Sequence, residues 1–271
     1  MNLENINLLN LLNREPFYKK NGVLFFLKDG AYNEFQTDSN KIKTFFKKFP
    51  GFYNFLQLLI TPAFTCIGGL NAKDSIKKSF KNGNLKEKII LNIGSGTKKD
   101  VPEMINVDIY PFKNVDMIAD IKDMPFKDGS VDMIVVDAVL EHIEKINESI
   151  KEISRVVKKG GFIYVSVPFV YPFHASPNDF YRWTIPGIEK SFNDFSVVKS
   201  GMRGGPAGSL QGTLMHFFAT LFSLGFEKLY IFLSYFFMIL FSPIKVLDFL
   251  FRFLPFSSDS ASHIYYLGVK K

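Results

Sequence analysis

An apolar run that stops abruptly in a glycine turn constrains this chain more than any other feature of its sequence. Residues 89–97 read IILNIGSGT, and the next apolar run, INVDIY at 105–110, carries an acidic residue, Asp108, near its tip. Strand, glycine turn, strand, carboxylate is how an open α/β sheet builds a pocket for a nucleoside. The glycines let the backbone approach a ligand closely, and the carboxylate takes the two ribose hydroxyls.

The spacing also says which nucleoside ligand is excluded. A dinucleotide site needs G-x-G-x-x-G opening a helix, with its acidic residue about 20 residues further on. Gly94 and Gly96 are present, but Lys99 stands at the third position, and Asp108 follows soon after with Pro102 in between. A full first helix aimed at a pyrophosphate hardly fits that interval. The pocket suits a nucleoside without a phosphate bridge, and S-adenosylmethionine is such a ligand.

The rest of the sheet follows from periodicity and breakers. KIILNI, MINVDI and a short MIAD read as three strands, and VDMIVVD (131–137) as a fourth. A helix is expected over 144–158 from apolar residues at helical spacing, ended by Lys159-Gly160-Gly161 as a glycine stop. FIYVSVP, continuously apolar as a strand covered on both faces should be, is the fifth strand. FSVVKS (195–200) is the sixth, and ASHIYYLGVKK the seventh. Asp132 starts the fourth strand at the end away from a ligand and reads as structural.

From LNIGSGT (91–97) through INVDIY, MIADIKDMPFKDGSVDMIVVDAVLEHI (117–143) and EISRVVKKGGFIYVSVP (152–168), the chain resembles the class I SAM-dependent methyltransferases, in particular the type 11 group. The resemblance implies a Rossmann-like seven-stranded sheet with one antiparallel strand near the carboxyl end. It also implies a cofactor site of Asn92, Gly94, Ser95, Gly96, Asp108, Asp120, Ile121 and Asp137. Asp120 would accept from the adenine amino group, with Ile121 against the ring; the competing reading of Asp120 is a turn or cap residue. Asn92 stands where the family often has an acidic residue, and the helix after the glycine loop is nearly deleted.

Two clusters on the ligand edge carry the chemistry. Glu141 and His142 resemble the family's Glu-His pair after the fourth strand; they either orient the loop or supply a base. The stretch YPFHASPNDFYRWT (171–184) resembles methyltransferases of polysaccharide and cell-envelope biosynthesis. Methyl transfer from a sulfonium needs in-line placement at roughly 3 Å and removal of the acceptor's proton. His174 is the preferred base, with Asp179 orienting it and His142 as second candidate. Glu141, Tyr181, Arg182 and Trp183 would shape the acceptor site. The structural alternative is a loop held by a buried Arg–Asp pair.

Composition bounds what surrounds this core. Cys66 is alone, so the chain has no internal disulfide, and the four histidines show no metal-ligand spacing, so no metal is expected. The net charge of +7 lies entirely in residues 1–88, which hold 14 basic and 7 acidic residues, against 19 of each in 89–271. The start of the chain does not read as a signal peptide, and a cytoplasmic location is expected. KIKTFFKKFPGFYNFLQLLI (41–60) suits either an anionic membrane surface or a helix packed on the domain; no nucleic-acid motif accompanies the charge.

The resulting division is a basic leader with amphipathic helices (1–88), a SAM-binding core (89–200), an apolar helical insertion (201–261) and the last strand (262–271). Within the insertion, residues 214–256 are far more apolar than a surface loop. Their longest charge-free run, Leu229 to Ile244, has 16 residues, short of the roughly 18–20 needed to span. A helical subdomain, a homodimer contact and helices lying peripherally on the inner face of the membrane all remain open.

The expected activity is methyl transfer to an O or N acceptor on a glycan, lipid-linked or other envelope precursor. Methylation of a lipophilic ring such as a quinone precursor is the rival reaction, and a membrane-associated scaffold the rival outside catalysis.

Overall fold

Nine strands hydrogen-bond into one mixed sheet, in the spatial order 18–20, 23–25, 117–118, 105–108, 90–93, 131–137, 157–168, 263–270 and 195–204. A computed structural model describes residues 8–28, 60–62, 69–81, 83–175 and 178–271, and every structural statement refers to those residues. The 41–60 stretch, apart from Ile60, lies outside them.

The strands are β1 Tyr18–Lys20, β2 Val23–Phe25, β3 Ile90–Ile93, β4 Ile105–Asp108, β5 Met117–Ile118, β6 Val131–Asp137, β7 Val157–Pro168, β8 Phe195–Gly204 and β9 His263–Lys270. β3 to β7 are mutually parallel where they pair, and β9 runs antiparallel to both β7 and β8. The apolar runs expected to be strands are strands. Every residue of β3 and β4 is buried, as strands covered on both faces require.

The sheet is larger than the expected seven strands. β1 and β2 form an antiparallel hairpin, and β2 adds in parallel to the edge strand β5. Residues 18–25 of the leader therefore pair into the sheet. Three-residue strands are too short to show a period of two, so the sequence pattern did not reveal them.

Helices cover both faces. α1 (Ala72–Ser79) is capped by Asn71, whose side chain accepts from Asp74 N at 2.8 Å. It buries Ala72 and Ile76 against Ile90, Met133 and Tyr164. α2 (Ile146–Val156) packs Ile153 and Val156 into the main core on the other face.

Lys159-Gly160-Gly161 does not stop that helix. The helix ends at Val156, and all three residues lie inside β7. Gly160 has φ +74°, a Cβ on Gly161 would come within 2.8 Å of Lys158 O, and the β6–β7 register shifts between Val131 and Met133. The pair makes a β-bulge, which needs the same conformational freedom as a helix stop. Asp132 sits beside the bulge, accepting from Ile89 N at 2.9 Å and paired with Lys158.

The insertion starts after β8, which runs on to Gly204. α3 (Ile185–Ser191) precedes β8; α4 (Pro206–Ser223), α5 (Glu227–Leu240) and the short α6 (Asp248–Phe251) follow it. The buried Asp248 carboxylate closes the start of α4, accepting from Ala207 N at 2.8 Å and Gly208 N at 3.2 Å. Gln211 donates to Ile60 O and Met238 O, tying α4 to α5. Lys245, the charge that ends the run from Leu229 to Ile244, is 4% exposed and donates to Thr61 O at 2.7 Å. A buried ammonium needs such acceptors, so Lys245 clamps the insertion to residues 60–62.

No single described helix is long and apolar enough to cross a membrane. One pair, Glu227–Leu240 with Ser242–Phe251, passes on composition but is bent by 42°.

Candidate active site at the carboxyl edge of the sheet

The parallel strands end at one edge, and the residues singled out in sequence gather there. The turn after β3 brings Gly94 (φ +64°) and Gly96 (φ +56°) beside Asp108 at the end of β4. A Cβ on Gly94 would lie 2.4 Å from Val139 Cγ2, so glycine is required for the β6 loop to close over the turn. Gly96 differs: nothing lies within 4 Å of where its Cβ would be. Its N–H donates to Asp108 Oδ2 at 2.8 Å, and Tyr110 N donates to Oδ1 at 2.9 Å. The carboxylate is thus fixed at the rim of an open glycine face. Ser95 is buried with a hydroxyl that has no partner, so a polar group without a protein ligand faces the same turn.

Asp120 lies just past β5, its Oδ1 accepting from Lys122 N at 2.9 Å and its Oδ2 at 3.4 Å from Lys122 Nζ. Ile121 is buried in the main core. Asn92 is turned within the sheet, its amide donating to Asn106 Oδ1 at 3.0 Å. Asp137 ends β6 with Oδ2 3.7 Å from the Arg203 guanidinium of β8. Burial pushes the Asp137 carboxyl up, but Arg203, Lys98 and a hydrogen bond from Ser166 outweigh it and hold it below the usual carboxylate range. Sequence reading passed over Arg203, since only the β8–β9 pairing brings it to this edge.

The second cluster joins two loops. A 3₁₀ turn, Leu140–His142, follows β6, and the loop after β7 folds onto it through Phe180 N donating to Glu141 O at 2.7 Å. His174 Nε2 then lies 3.6 Å, and His142 Nε2 3.8 Å, from Glu141 Oε1. Ligand atoms of Glu141, His142 and His174 all fall within 4.8 Å of one another, although the sequence spacing gave no sign of a metal-type cluster. Glu141 is fully buried, and neither of its oxygens accepts a hydrogen bond.

Asp179 takes the backbone N–H of His174 at 2.8 Å and approaches its ring Nδ1 at 3.2 Å. Burial raises the Asp179 carboxyl, and the forked contacts from Arg182 at 2.5 and 2.6 Å, with the His174 N–H, more than reverse this. Arg182 also donates to Tyr171 O and Pro172 O. It holds the loop together, in line with the structural alternative. Tyr181 donates to Glu144 O and lies tilted by 38° against the ring of Trp183, which packs into the main core. Tyr171 lies between the rings of His174 and His263, and burial pushes its hydroxyl up to about 12.

Residues 95–165 match the profile of a family described as a methyltransferase domain. The protein is a methyltransferase that takes S-adenosyl-L-methionine as its cofactor. The match begins at Ser95, inside the glycine turn, and takes in Gly96, Asp108, β6, Glu141 and His142; the open Gly96 face, the fixed Asp108 carboxylate and the unpartnered Ser95 hydroxyl suit an adenosyl ligand.

No curated protein matches the chain. Among solved structures it is similar to phosphoethanolamine N-methyltransferase 2 of Haemonchus contortus, at 15% identity and a TM-score of 0.49, covering 88% of this chain and 61% of that one. A possible histamine N-methyltransferase of Thermotoga maritima is 15% identical, with a TM-score of 0.46 and coverage of 84% and 99%. The geranyl diphosphate C-methyltransferase of Streptomyces coelicolor A3(2) is 10% identical, with a TM-score of 0.43 and coverage of 69% and 73%. Their named substrates differ from one another.

Proposed function

We propose that this methyltransferase acts on an O or N acceptor carried by an amphiphilic molecule, such as a lipid-linked glycan or another envelope precursor. The observation that supports this is a groove of about 470 Å³ lined by Pro172, Thr213, His216, Phe217, Thr220 and Leu221. One end belongs to the loop that carries His174; the other is the exposed apolar side of α4. A polar acceptor group at the histidines with an apolar tail along α4 matches that gradient.

The cofactor, when bound, supplies a methyl group activated on a sulfonium. The chain's own residues do the rest. Asp108 and the glycine turn hold the nucleoside, and the loop after β7 holds the acceptor. The acceptor's proton leaves towards the electron-rich cluster of His174, His142 and Glu141, with Asp179 orienting His174 through Nδ1.

The apolar surface of the insertion extends the reading to the location. Leu224 and Phe256 are 78% and 79% exposed, and Phe232, Phe236, Phe249 and Phe253 are exposed with them. Lys228 lies on the same exposed surface, and the Arg252 guanidinium sits 4.4 and 4.3 Å over the Phe249 and Phe253 rings. Large apolar side chains with basic residues among them are what a helix lying in a lipid headgroup region presents. We place the protein peripherally on a membrane that carries its substrate.

The test is transfer of labelled methyl from S-adenosylmethionine to a chloroform–methanol extract of envelope lipids, followed by mild acid hydrolysis. Label released with the water-soluble sugar fraction is expected. Label retained on the apolar fraction would point to a lipophilic ring, and label only on water-soluble acceptors would contradict the amphiphilic substrate.

A further inference from the structure

We infer that Glu141, His142 and His174 form a binding site for a divalent cation of the zinc class, with a fourth position open to the acceptor. For that fourth ligand the inference rests on the acceptor reading above; the three protein ligands do not need it.

The geometry first poses an electrostatic problem. Each histidine's Nδ1 is turned towards an acceptor. His142 Nδ1 lies 2.5 Å from Asn178 O, and a carbonyl only accepts, so the ring proton is on Nδ1. His174 Nδ1 faces Asp179 Oδ2 at 3.2 Å, close though not aligned as a full hydrogen bond. With the protons on Nδ1, both Nε2 atoms turn lone pairs towards the same Glu141 oxygen, at 3.8 and 3.6 Å. Three electron-rich atoms then converge on one point with nothing positive between them. Glu141 is fully buried and its oxygens have no hydrogen-bond partner, an arrangement that buried carboxylates rarely tolerate without compensation.

A cation at that point resolves all of it: it takes up the two Nε2 lone pairs, and an acceptor group at its fourth position then loses its proton to solvent rather than to His174. Zinc binds imidazole nitrogen and carboxylate oxygen at about 2.0–2.2 Å, which places tetrahedral ligands roughly 3.3 Å apart. The two histidine–Glu141 separations need to close by only a few tenths of an ångström, and the histidine nitrogens already lie within 4.8 Å of each other. Two histidines and one glutamate leave a fourth position free, as in zinc sites that act on bound substrate. The outer contacts also match: metal-bound histidines commonly give their other N–H to a carbonyl or carboxylate. Here the carboxylate, Asp179, is itself held by the Arg182 fork at 2.5 and 2.6 Å. The His174 and His142 side chains keep 32% and 14% exposure, so an ion has a way in.

The experiment uses the full chain without a histidine tag, stripped with chelator, and titrated with zinc chloride by calorimetry. Metal content after desalting is measured in parallel, and binding of S-adenosylhomocysteine reports folding in every sample. One zinc per chain is expected, and Glu141→Gln or His142→Asn should each weaken zinc binding by about 100-fold or more. Asp179→Asn should weaken it by about 10-fold, because Asp179 acts only through His174. Cobalt substitution should give the visible bands of a four-coordinate site in the wild type and lose them in Glu141→Gln. A wild-type chain that binds S-adenosylhomocysteine but retains no stoichiometric zinc would overturn the metal site and leave the methyltransferase reading standing. Zinc retained equally by Glu141→Gln and His142→Asn would overturn it as well.

Discussion

Asp108 is the residue on which cofactor binding should depend most. Both of its oxygens already accept backbone N–H groups, from Gly96 at 2.8 Å and Tyr110 at 2.9 Å, so its direction is fixed before a ribose arrives. Removing the carboxylate takes away two charge-assisted acceptors. Asp108→Ala should weaken S-adenosylhomocysteine binding by about 1.5–3 kcal/mol, roughly 10- to 100-fold, in a protein whose circular dichroism shows it folded. Unchanged affinity would mean the ribose carboxylate lies elsewhere. His263 carries a second prediction at this scale. Burial pushes its imidazole down to about 3. The unfolded chain, with an ordinary histidine near pH 6.5, then binds the extra proton first as pH falls, so this part of the stability is complete above 6.5 and drains away towards 3. The loss should reach about 2 kcal/mol at pH 5, read from denaturant melts at pH 7.5 and 5. His263→Gln should flatten the profile in that window; an equally steep mutant would place the titrating group elsewhere.

At the scale of elements, the insertion makes the clearest prediction. Liposome flotation should recover the protein with vesicles containing anionic lipid, less so with neutral ones, and less at high salt. Phe232→Asp together with Phe236→Asp should abolish recovery while leaving S-adenosylhomocysteine binding in place. A wild-type protein that stays behind under every condition would refute attachment; a dimer on sedimentation would then assign the apolar surface to a second copy of the chain. The elements also show where sequence was readable and where it was not. The buried strands and the glycine turn stood out because burial on both faces makes IILNI and FIYVSV continuously apolar. Gly160 and Gly161 were seen as a break but assigned to a helix end, since a bulge and a helix stop ask for the same freedom from Cβ. The β1–β2 hairpin left no periodic trace, and the burial of Lys245 depends on Thr61, far away in the chain. Arg203 beside Asp137, and His174 beside Glu141, are tertiary meetings that spacing along the chain does not encode.

At the scale of the whole molecule, one gradient runs from the nucleoside end of the sheet edge, through the histidine cluster, to the apolar side of α4. The proposed cofactor end is built from local turns that the sequence displays one by one; of the proposed acceptor end the sequence displays the two loops, at 141–142 and 171–184, but not their meeting with the start of β9 and the insertion. The central claim is that the short glycine turn and Asp108 hold S-adenosylmethionine rather than a dinucleotide. Titration calorimetry of the purified chain with S-adenosylhomocysteine and with NAD tests it most directly. The account predicts one saturable site per chain for S-adenosylhomocysteine and no binding of NAD. Saturable NAD binding with no response to S-adenosylhomocysteine would contradict it.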